Sequence, residues 1–328
     1  MSGINPEMQL AADLYNDLEN KATRAGFGEG MVTLGSDNEN VVALCADLSG
    51  SLKLGGFIKA WPERFFQSGV AEQNMVGMAA GLALSGKIPF ATSFGVFMPT
   101  RTMDQIRISV CYNNINVKLA ASHTGITVGP DGATHQAMED VAMMRVLPNM
   151  KVIVPSDMIE TKKATIKAAE IRGPVYLRFG RQGSPVYTTE ETPFEIGKAN
   201  LLIDGSDVAI VACGRMVYES LLAAKVLLEK GISVRVLNCH TIKPIDSDAL
   251  VDAADVCGAV VTAEEHQKIG GLGSAVAEVL SVSKPVPMEI IGVNDTFGES
   301  GESDELMEKY GLTAADIVNA AEKVIARK

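Results

Sequence analysis

The segment NMVGMAAGLALSGKIPFAT, residues 74–92, indicates the fold class of this chain. Its first part is small and apolar and predicts a helix that ends at Gly86, and IPFAT at 88–92 predicts a short buried strand. Similar apolar runs predict further strands at 41–47, 117–122, 151–155 and 174–178. Because parallel strands are joined by crossover helices, this alternation predicts a parallel sheet covered by helices on both faces.

Apolar residues at helical spacing predict the helices themselves. They lie at 103–114, 137–147 and 158–171, and a long N-terminal helix is predicted over 7–34. The stretch TTEETPFEIGKANLL at 188–202 lacks this rhythm and is typical of a linker.

A second α/β cycle follows the linker. Strands are predicted at 207–214, 232–238, 257–265 and 286–292, and helices at 218–230, 246–255 and 273–282. We therefore predict an α/β protein with two successive three-layer domains of mostly parallel sheet, at 1–190 and 203–328, joined by a linker at 191–202.

Composition limits the possible functions. The chain has 328 residues, 47% of them apolar, and a formal net charge of −11. This acidic balance argues against a nucleic-acid partner, and no run of about 20 apolar residues predicts a membrane span. The N-terminus lacks the layout of a signal peptide, so we expect a cytoplasmic protein. The five cysteines form no C-x-x-C pair and the four histidines no cluster, which predicts reduced core cysteines and no zinc site.

Several segments carry residues that are typical of chemistry. Glycine-rich ADLSGS (46–51), GPDGATHQ (129–136) and GGLGSA (270–275) match no nucleotide fingerprint, so phosphate binding stays open on glycine pattern alone. Glu72 stands at the start of a small, apolar helix, where the helix dipole alone would favour an acid. Phe94 and Phe97 follow a predicted strand, and the loop that begins at His123 holds a second histidine, His135, and Asp131. Loops after parallel strands bind ligands in open α/β sheets.

These motifs together resemble the transketolase family of thiamine-diphosphate enzymes. The matching segments are G-V-A-E-Q at 69–73, S-F-G-V-F followed by R-x-x-D-Q at 93–105, and G-P-D-G-A-T-H-Q at 129–136. Later segments also fit, namely P-S-D at 155–157, L-R-F-G-R-Q at 177–182 and E-E-H-x-x-x-G-G-L-G at 264–273. The resemblance covers nearly the whole chain and implies a pyrimidine-binding domain followed by a transketolase C-terminal domain.

The resemblance implies that this chain binds the pyrimidine end of thiamine diphosphate. In the family, a glutamate at the position of Glu72 bonds N1′ of the aminopyrimidine and favours the imino tautomer, which removes the thiazolium C2 proton. A carboxyl group in a dry pocket is needed because C2–H is a very weak acid in water. Phe97, and less directly Phe94, would stack on the pyrimidine. Arg101 matches an arginine of the deoxyxylulose-phosphate synthase branch, and Asp47 an aspartate near the cofactor.

The resemblance also implies a site for sugar-phosphate substrates. Asp131 and His135 match the pair that contacts the ketose hydroxyls, and His135 also fits a catalytic role in proton shuttling. Contacts to the sugar phosphate are implied for Arg24, Ser51, His123 and Arg181. Cationic donors at these positions would meet the phosphate dianion.

What the sequence lacks predicts a partner. Full-length transketolases carry, upstream of these motifs, a domain with G-D-G and a later Asn that holds the metal and the diphosphate. The only candidate here, P-D-G at 130–132, belongs to the Gly-rich loop. Magnesium needs octahedral oxygen ligands, so we assign no metal ligand to this chain and expect Mg²⁺ or Ca²⁺ on an N-terminal transketolase subunit. We expect an α2β2 heterotetramer with that subunit, or a homodimer of the isolated chain.

Three alternatives stay open beside ketol transfer between phosphorylated sugars. The β subunit of a 2-oxoacid dehydrogenase shares the G-x-A-E and D-Q helices but lacks D-G-x-T-H-Q. A deoxyxylulose-phosphate synthase shares that loop and Arg101, yet is normally one chain with its own diphosphate domain. A non-catalytic scaffold would need none of the residues implied here, so the joint presence of Glu72, Asp131, His135 and Arg181 favours a catalytic subunit.

Overall fold

The computed structural model describes residues 3–328, and over that range the chain forms two main sheets, one of seven strands and one of five. In chain order the strands are β1 (Asn20–Ala22), β2 (Val41–Cys45), β3 (Phe65–Gln67), β4 (Ile88–Phe94), β5 (Lys118–Ser122), β6 (Lys151–Ile153), β7 (Val175–Arg178), β8 (Gly183–Pro185), β9 (Asn200–Ile203), β10 (Val208–Ala212), β11 (Val234–Asn238), β12 (Thr241–Lys243), β13 (Val260–Gln267) and β14 (Met288–Val293). The predicted α/β class with two successive, mostly parallel domains is confirmed.

Helices cover both faces of these sheets. They are α1 (Thr23–Asp37), α2 (Gly55–Ala60), α3 (Glu72–Leu84), α4 (Phe97–Gln105), α5 (Asp140–Arg145), α6 (Met158–Glu170), α7 (Met216–Glu229), α8 (Ser247–Cys257), α9 (Leu272–Ser283), α10 (Ser303–Lys309) and α11 (Ala314–Ile325). Short 3₁₀ segments lie at Pro6–Met8, Pro62–Arg64 and Ile126–Asp131, and α4 continues into a wider helical turn at Ile106–Tyr112.

The larger sheet has the strand order β12-β6-β7-β5-β4-β2-β3. Its inner strands β2, β5 and β7 are buried along their whole length, because helices cover both faces. On one face, Phe27 and Met31 of α1 pack with residues of α2 and α6. On the other face, Met75 and Val76 of α3 belong to a hydrophobic core that also includes residues of the second domain.

The smaller sheet has the order β14-β13-β10-β11-β9, with β9 antiparallel and the other pairs parallel. One face packs against the first domain through α8 and α9. The other face is covered by α7 and α11 and by the N-terminal segment around Leu14. The range 191–202, predicted as a linker, ends inside β9.

Each half of the chain contributes backbone to the sheet of the other. Strand β12 comes from the second half but pairs antiparallel with β6 at the edge of the larger sheet. In return, the N-terminal segment lies along β9, where Ile4 forms a bridge with Ile203 and Asn5 N–H donates to Leu202 O at 2.9 Å.

The predicted N-terminal helix over 7–34 is wrong in its first part. Helix α1 begins only at Thr23, and Gln9 and Asp17 have φ values of +46° and +53°, which interrupt any helix before it. In this stretch Ala11 N–H donates to Tyr187 O, and Leu14 joins the core of the second domain. The apolar residues before α1 therefore follow tertiary contacts and not a helical face. No helix within residues 3–328 is long and apolar enough to cross a bilayer.

Candidate functional site

The residues singled out by the sequence gather at the carboxyl edge of the larger sheet. Phe94 ends β4, His123 follows β5 and Arg181 follows β7. Glu72 begins α3 directly after β3, and Ser51 lies in the turn after β2. Parallel strands bring their carboxyl ends to one edge, so residues far apart in sequence meet there.

Glu72 lies at the first position of α3 and is 5% exposed. Its carboxylate accepts a hydrogen bond from Arg101 Nη1, with 2.7 Å between Nη1 and Oε1. The Arg101 guanidinium also lies over the Phe97 ring, 4.0 Å from its centroid, and its side chain is 46% exposed. Within residues 3–328 this nearly buried carboxylate is bonded only by that half-exposed side chain, so it can also accept a ligand donor.

Four rings form a cluster beside this pair. Phe94 stacks on His123 with 3.8 Å between ring centroids, and Phe94 and Phe97 stack at 5.8 Å. His135 stands edge-on to Phe97 at 5.3 Å. His135, which is predicted to bind the substrate, therefore lies in contact with Phe97, which is predicted to stack on the pyrimidine.

Two further arginines add positive charge to the site. Arg24 Nη1 donates to Ser51 O at 3.0 Å, and Arg181 Nη1 donates to Val128 O at 2.6 Å. Burial lowers the pKa of His123 to about 3, and Arg24, Arg181 and His135 act in the same direction. With this pKa, His123 is neutral at ordinary pH in the free chain, so the charge near it comes from the arginines.

Asp131 and His135 lie in the loop 124–137, and Asp47 follows the carboxyl end of β2. Asp131 is exposed and stands 3.6 Å from Arg181, while His135 Nδ1 is 2.9 Å from Thr134 Oγ1. Asp47 is exposed with φ +60°, and its N–H donates to Gln67 Oε1. Within residues 3–328 its side chain makes no hydrogen bond or ion pair with the other site residues.

The residues that support the 124–137 loop were not singled out by the sequence. Glu265 of β13 accepts hydrogen bonds from the N–H and the hydroxyl of Thr127, and Gln136 Nε2 donates to Ile126 O and Glu299 O. Both side chains lie within motifs that match the family, E-E-H and T-H-Q. That position in a motif is the only signal that could have found them, because their contacts reach across the two domains.

A buried ion pair lies beneath this loop. Arg178 at the end of β7 donates to Asp140 Oδ2 at 2.8 Å, and Tyr176 donates its hydroxyl to the same oxygen. Arg178 also donates to Ala137 O and to the backbone oxygen of Glu265. Buried charges are stable only when paired and hydrogen-bonded, so this network fixes the base of the loop.

The glycine-rich segment before α9 is already occupied by the chain itself. Glu264 is buried, and its two carboxylate oxygens accept from Leu272 N–H at 2.7 Å and Gly273 N–H at 2.8 Å. The N-terminus of a helix favours an anion, and here Glu264 is that anion. This segment therefore offers no free phosphate site.

Among residues 3–328, no group of three or more His, Cys, Asp or Glu side chains could hold a metal ion. All five cysteines are free and buried. Burial lowers the pKa of His240 to about 3, which agrees with a structural role in the core.

The fold and the site now define a class. A parallel-sheet domain with a buried glutamate at a helix start beside aromatic faces, followed by a second α/β domain, is the arrangement of the thiamine-diphosphate transketolases. Two family models match accordingly: transketolase, pyrimidine binding domain, over residues 19–185, and transketolase, C-terminal domain, over residues 197–317. The chain belongs to the transketolase family.

Individual relatives agree with this assignment. A putative transketolase C-terminal section of Methanocaldococcus jannaschii is 50% identical over 90% of this chain and 94% of its own length. A 6-deoxy-6-sulfo-D-fructose transketolase subunit of Clostridium sp. (strain MSTE9) is 45% identical over 95% of this chain and 97% of its own. A solved structure described as a split gene transketolase, inactive β4 tetramer, is 53% identical, with a TM-score of 0.88 over 93% of this chain and 98% of that one.

Proposed function

We propose that this chain is the C-terminal subunit of a two-chain transketolase, which transfers a two-carbon ketol unit between phosphorylated sugars. The observation that carries the proposal is the buried Glu72 carboxylate, which shares one sheet edge with the Phe97 ring and with the loop of Asp131 and His135. Such a site needs thiamine diphosphate, and the residues present fit its aminopyrimidine. The flat aminopyrimidine ring would stack on the face of Phe97, and its N1′ would hydrogen-bond the carboxyl group of Glu72.

Thiamine diphosphate, when bound, supplies the nucleophilic carbon that carries the two-carbon unit. This chain would hold its pyrimidine through Phe94, Phe97 and Arg101. The role of Glu72 would be to share a proton with N1′, because its burial keeps water away from the carboxyl group. Asp47 is the weakest member of the set, since it is exposed and its side chain bonds none of the others within residues 3–328.

The other residues of the edge would bind the sugar. Asp131 and His135 would contact the ketose hydroxyls, and His135 would also move a proton between sugar and solvent; the support is their position in the loop beside Arg181 and Phe97. Arg24 and Arg181 would bind the phosphate by charge-assisted hydrogen bonds. Ser51 and neutral His123 would add uncharged contacts at the same end.

A second subunit would supply the diphosphate and metal site, with Mg²⁺ or Ca²⁺. The support comes from similar proteins whose own names describe a C-terminal section, a transketolase subunit and an inactive β4 tetramer. We propose an α2β2 assembly in the cytoplasm, and a homo-oligomer when the partner is missing. These names favour transketolase over a 2-oxoacid dehydrogenase β subunit or a deoxyxylulose-phosphate synthase.

Reconstitution tests this function. The chain is co-expressed with a subunit that carries G-D-G and the later Asn, and ketol transfer is measured with thiamine diphosphate and Mg²⁺. Donors include a phosphorylated ketose and 6-deoxy-6-sulfo-D-fructose, since a similar subunit is named for the latter. We expect turnover only in the assembly. Turnover by the isolated chain would refute the partner requirement, and an assembly that binds cofactor but transfers no ketol unit would refute the reaction.

A further inference from the structure

We propose that Glu265 is a positioning residue for the active site, through which the second domain fixes the loop that carries Asp131 and His135. The inference rests on the function proposed above, because it assigns a purpose to the loop at that site. It goes further in giving the second domain a part in positioning that loop.

The contact between Glu265 and the loop is short and buried. Thr127 donates to the carboxylate oxygen Oε1 twice, from its N–H at 2.6 Å and from its hydroxyl at 2.7 Å. Glu265 is 7% exposed and Thr127 is 2% exposed. Hydrogen bonds to a carboxylate are stronger than neutral ones, so Thr127 is fixed at the start of the short 3₁₀ segment that leads to Asp131.

Further contacts across the domain boundary act on the same loop. Ser303 donates its hydroxyl to Thr127 O at 2.9 Å, and Gln136 Nε2 donates to Glu299 O at 2.8 Å. The second domain thus bonds the loop near both of its ends. The loop ends are also closed on each other, because Gly125 N–H donates to Ala137 O at 2.7 Å.

Two glycines show how closely the surfaces approach. A Cβ atom at Gly125, whose φ is +80°, would lie 2.2 Å from Glu265 Oε1. A Cβ atom at Gly298 would lie 1.9 Å from Gln136 Oε1. Neither neighbouring side chain can move away easily, since each is buried and hydrogen-bonded. At each of these glycines, the backbone of one domain therefore lies directly against a buried side chain of the other.

The adjacent residue, Glu264, provides a matched control. It is also buried on β13, and its carboxylate also accepts two short hydrogen bonds, but both come from α9 within the second domain. Glu264→Gln and Glu265→Gln thus remove the same charge from neighbouring positions, and only the second change touches the loop.

The first measurement uses the full chain alone and needs no cofactor. Hydrogen exchange is followed at the amides of Gly125, Thr127, Gly132 and His135. In Glu265→Gln we expect these amides to exchange about tenfold faster, because neutral hydrogen bonds replace charge-assisted ones. In Glu264→Gln they should exchange at the wild-type rate. Wild-type exchange in Glu265→Gln would overturn the proposal.

The second measurement uses the assembled enzyme with thiamine diphosphate. A misplaced loop should lower kcat/KM about tenfold or more in Glu265→Gln, while Glu264→Gln stays within about twofold of wild type. If Glu265→Gln does not fold, Thr127→Val should show the same loss, and Thr127→Ser, which keeps the hydroxyl, should restore activity. A looser loop with unchanged kcat/KM would overturn the positioning role. An inactive wild-type assembly would instead refute the proposed function, and with it the catalytic part of this inference.

Discussion

The substitution Glu72→Gln tests the mechanism most directly. Glutamine keeps the shape of the side chain and can still accept a hydrogen bond from Arg101, but it cannot exchange a proton with N1′ of the cofactor. Removal of a proton-transfer group typically lowers a rate about 10²- to 10⁴-fold. We therefore expect both turnover and C2–H/D exchange of the bound cofactor to fall by that factor in the assembled enzyme.

The structure also predicts that this variant folds. Arg101, the partner of Glu72, is 46% exposed, so water can solvate its guanidinium when the carboxylate is lost. The charge that loses its partner is thus the solvent-exposed one, and at exposed positions a lost ion pair changes the free energy of unfolding by about 1 kcal/mol or less. A change of that size would leave the chain folded at 25 °C and would not explain a large loss of exchange.

The assay is proton NMR of C2–H/D exchange in the reconstituted complex. Glu278→Gln is the control for loss of a glutamate–arginine pair, because Glu278 also pairs with an arginine, Arg145, but at the contact between the domains. That variant should exchange at the wild-type rate. If C2–H/D exchange of the bound cofactor is also at the wild-type rate in Glu72→Gln, Glu72 is not the activating residue. Its presence at the start of α3 would then be explained by the helix dipole alone.

Three further predictions follow from the site. Arg181→Ala should raise KM for phosphorylated substrates about tenfold or more, and hardly for unphosphorylated ones, because it removes a charge-assisted contact of about 1.5 to 3 kcal/mol; equal losses in steady-state kinetics would contradict this. His123, with a pKa lowered to about 3, should stay neutral in NMR titrations down to about pH 4. Its pKa in the folded chain lies below the unfolded value of about 6.5. Its contribution to the free energy of unfolding is therefore present above pH 6.5 and is lost as the pH falls towards 3. A titration near 6.5 would disprove its burial. Asp140→Ala should cost about 3 to 5 kcal/mol, because Arg178 is left buried and without its ion-pair partner. Asp304→Ala removes an exposed carboxylate from Arg215 and should cost less than about 1 kcal/mol in denaturant unfolding; similar losses would contradict the difference.

Strands and helices with a clear local signal could be predicted from the sequence. The buried runs at 41–47 and 88–92 are found as Val41–Cys45 and Ile88–Phe94, and the helix expected at 74–86 is Glu72–Leu84. These predictions are correct because burial on both faces of the sheet leaves a continuous apolar run, which can be recognised within a few residues.

Elements that depend on distant partners could not be predicted. Strand β12 is three residues long and exists because β6 offers a free edge. The stretch before α1 has helical apolar spacing, yet its apolar side chains pack on the second domain. In the site, Glu72 and Phe97 were identified from sequence motifs, whereas the contacts of Glu265 and Gln136 were found only from the structure, because they join the two domains. The neutral state of His123 likewise depends on burial and on Arg24 and Arg181, which only the folded chain brings near it.

The exchange of backbone between the two halves has a consequence for anyone who dissects this protein. A cut at 191–199 would leave β6 as a bare strand edge, since β12 would go with the other fragment. The C-terminal fragment would in turn lose the N-terminal segment that bridges β9. Unpaired edges are sites of aggregation. Fragments expressed separately should therefore be insoluble or recombine, and the chain is best treated as one interlocked unit.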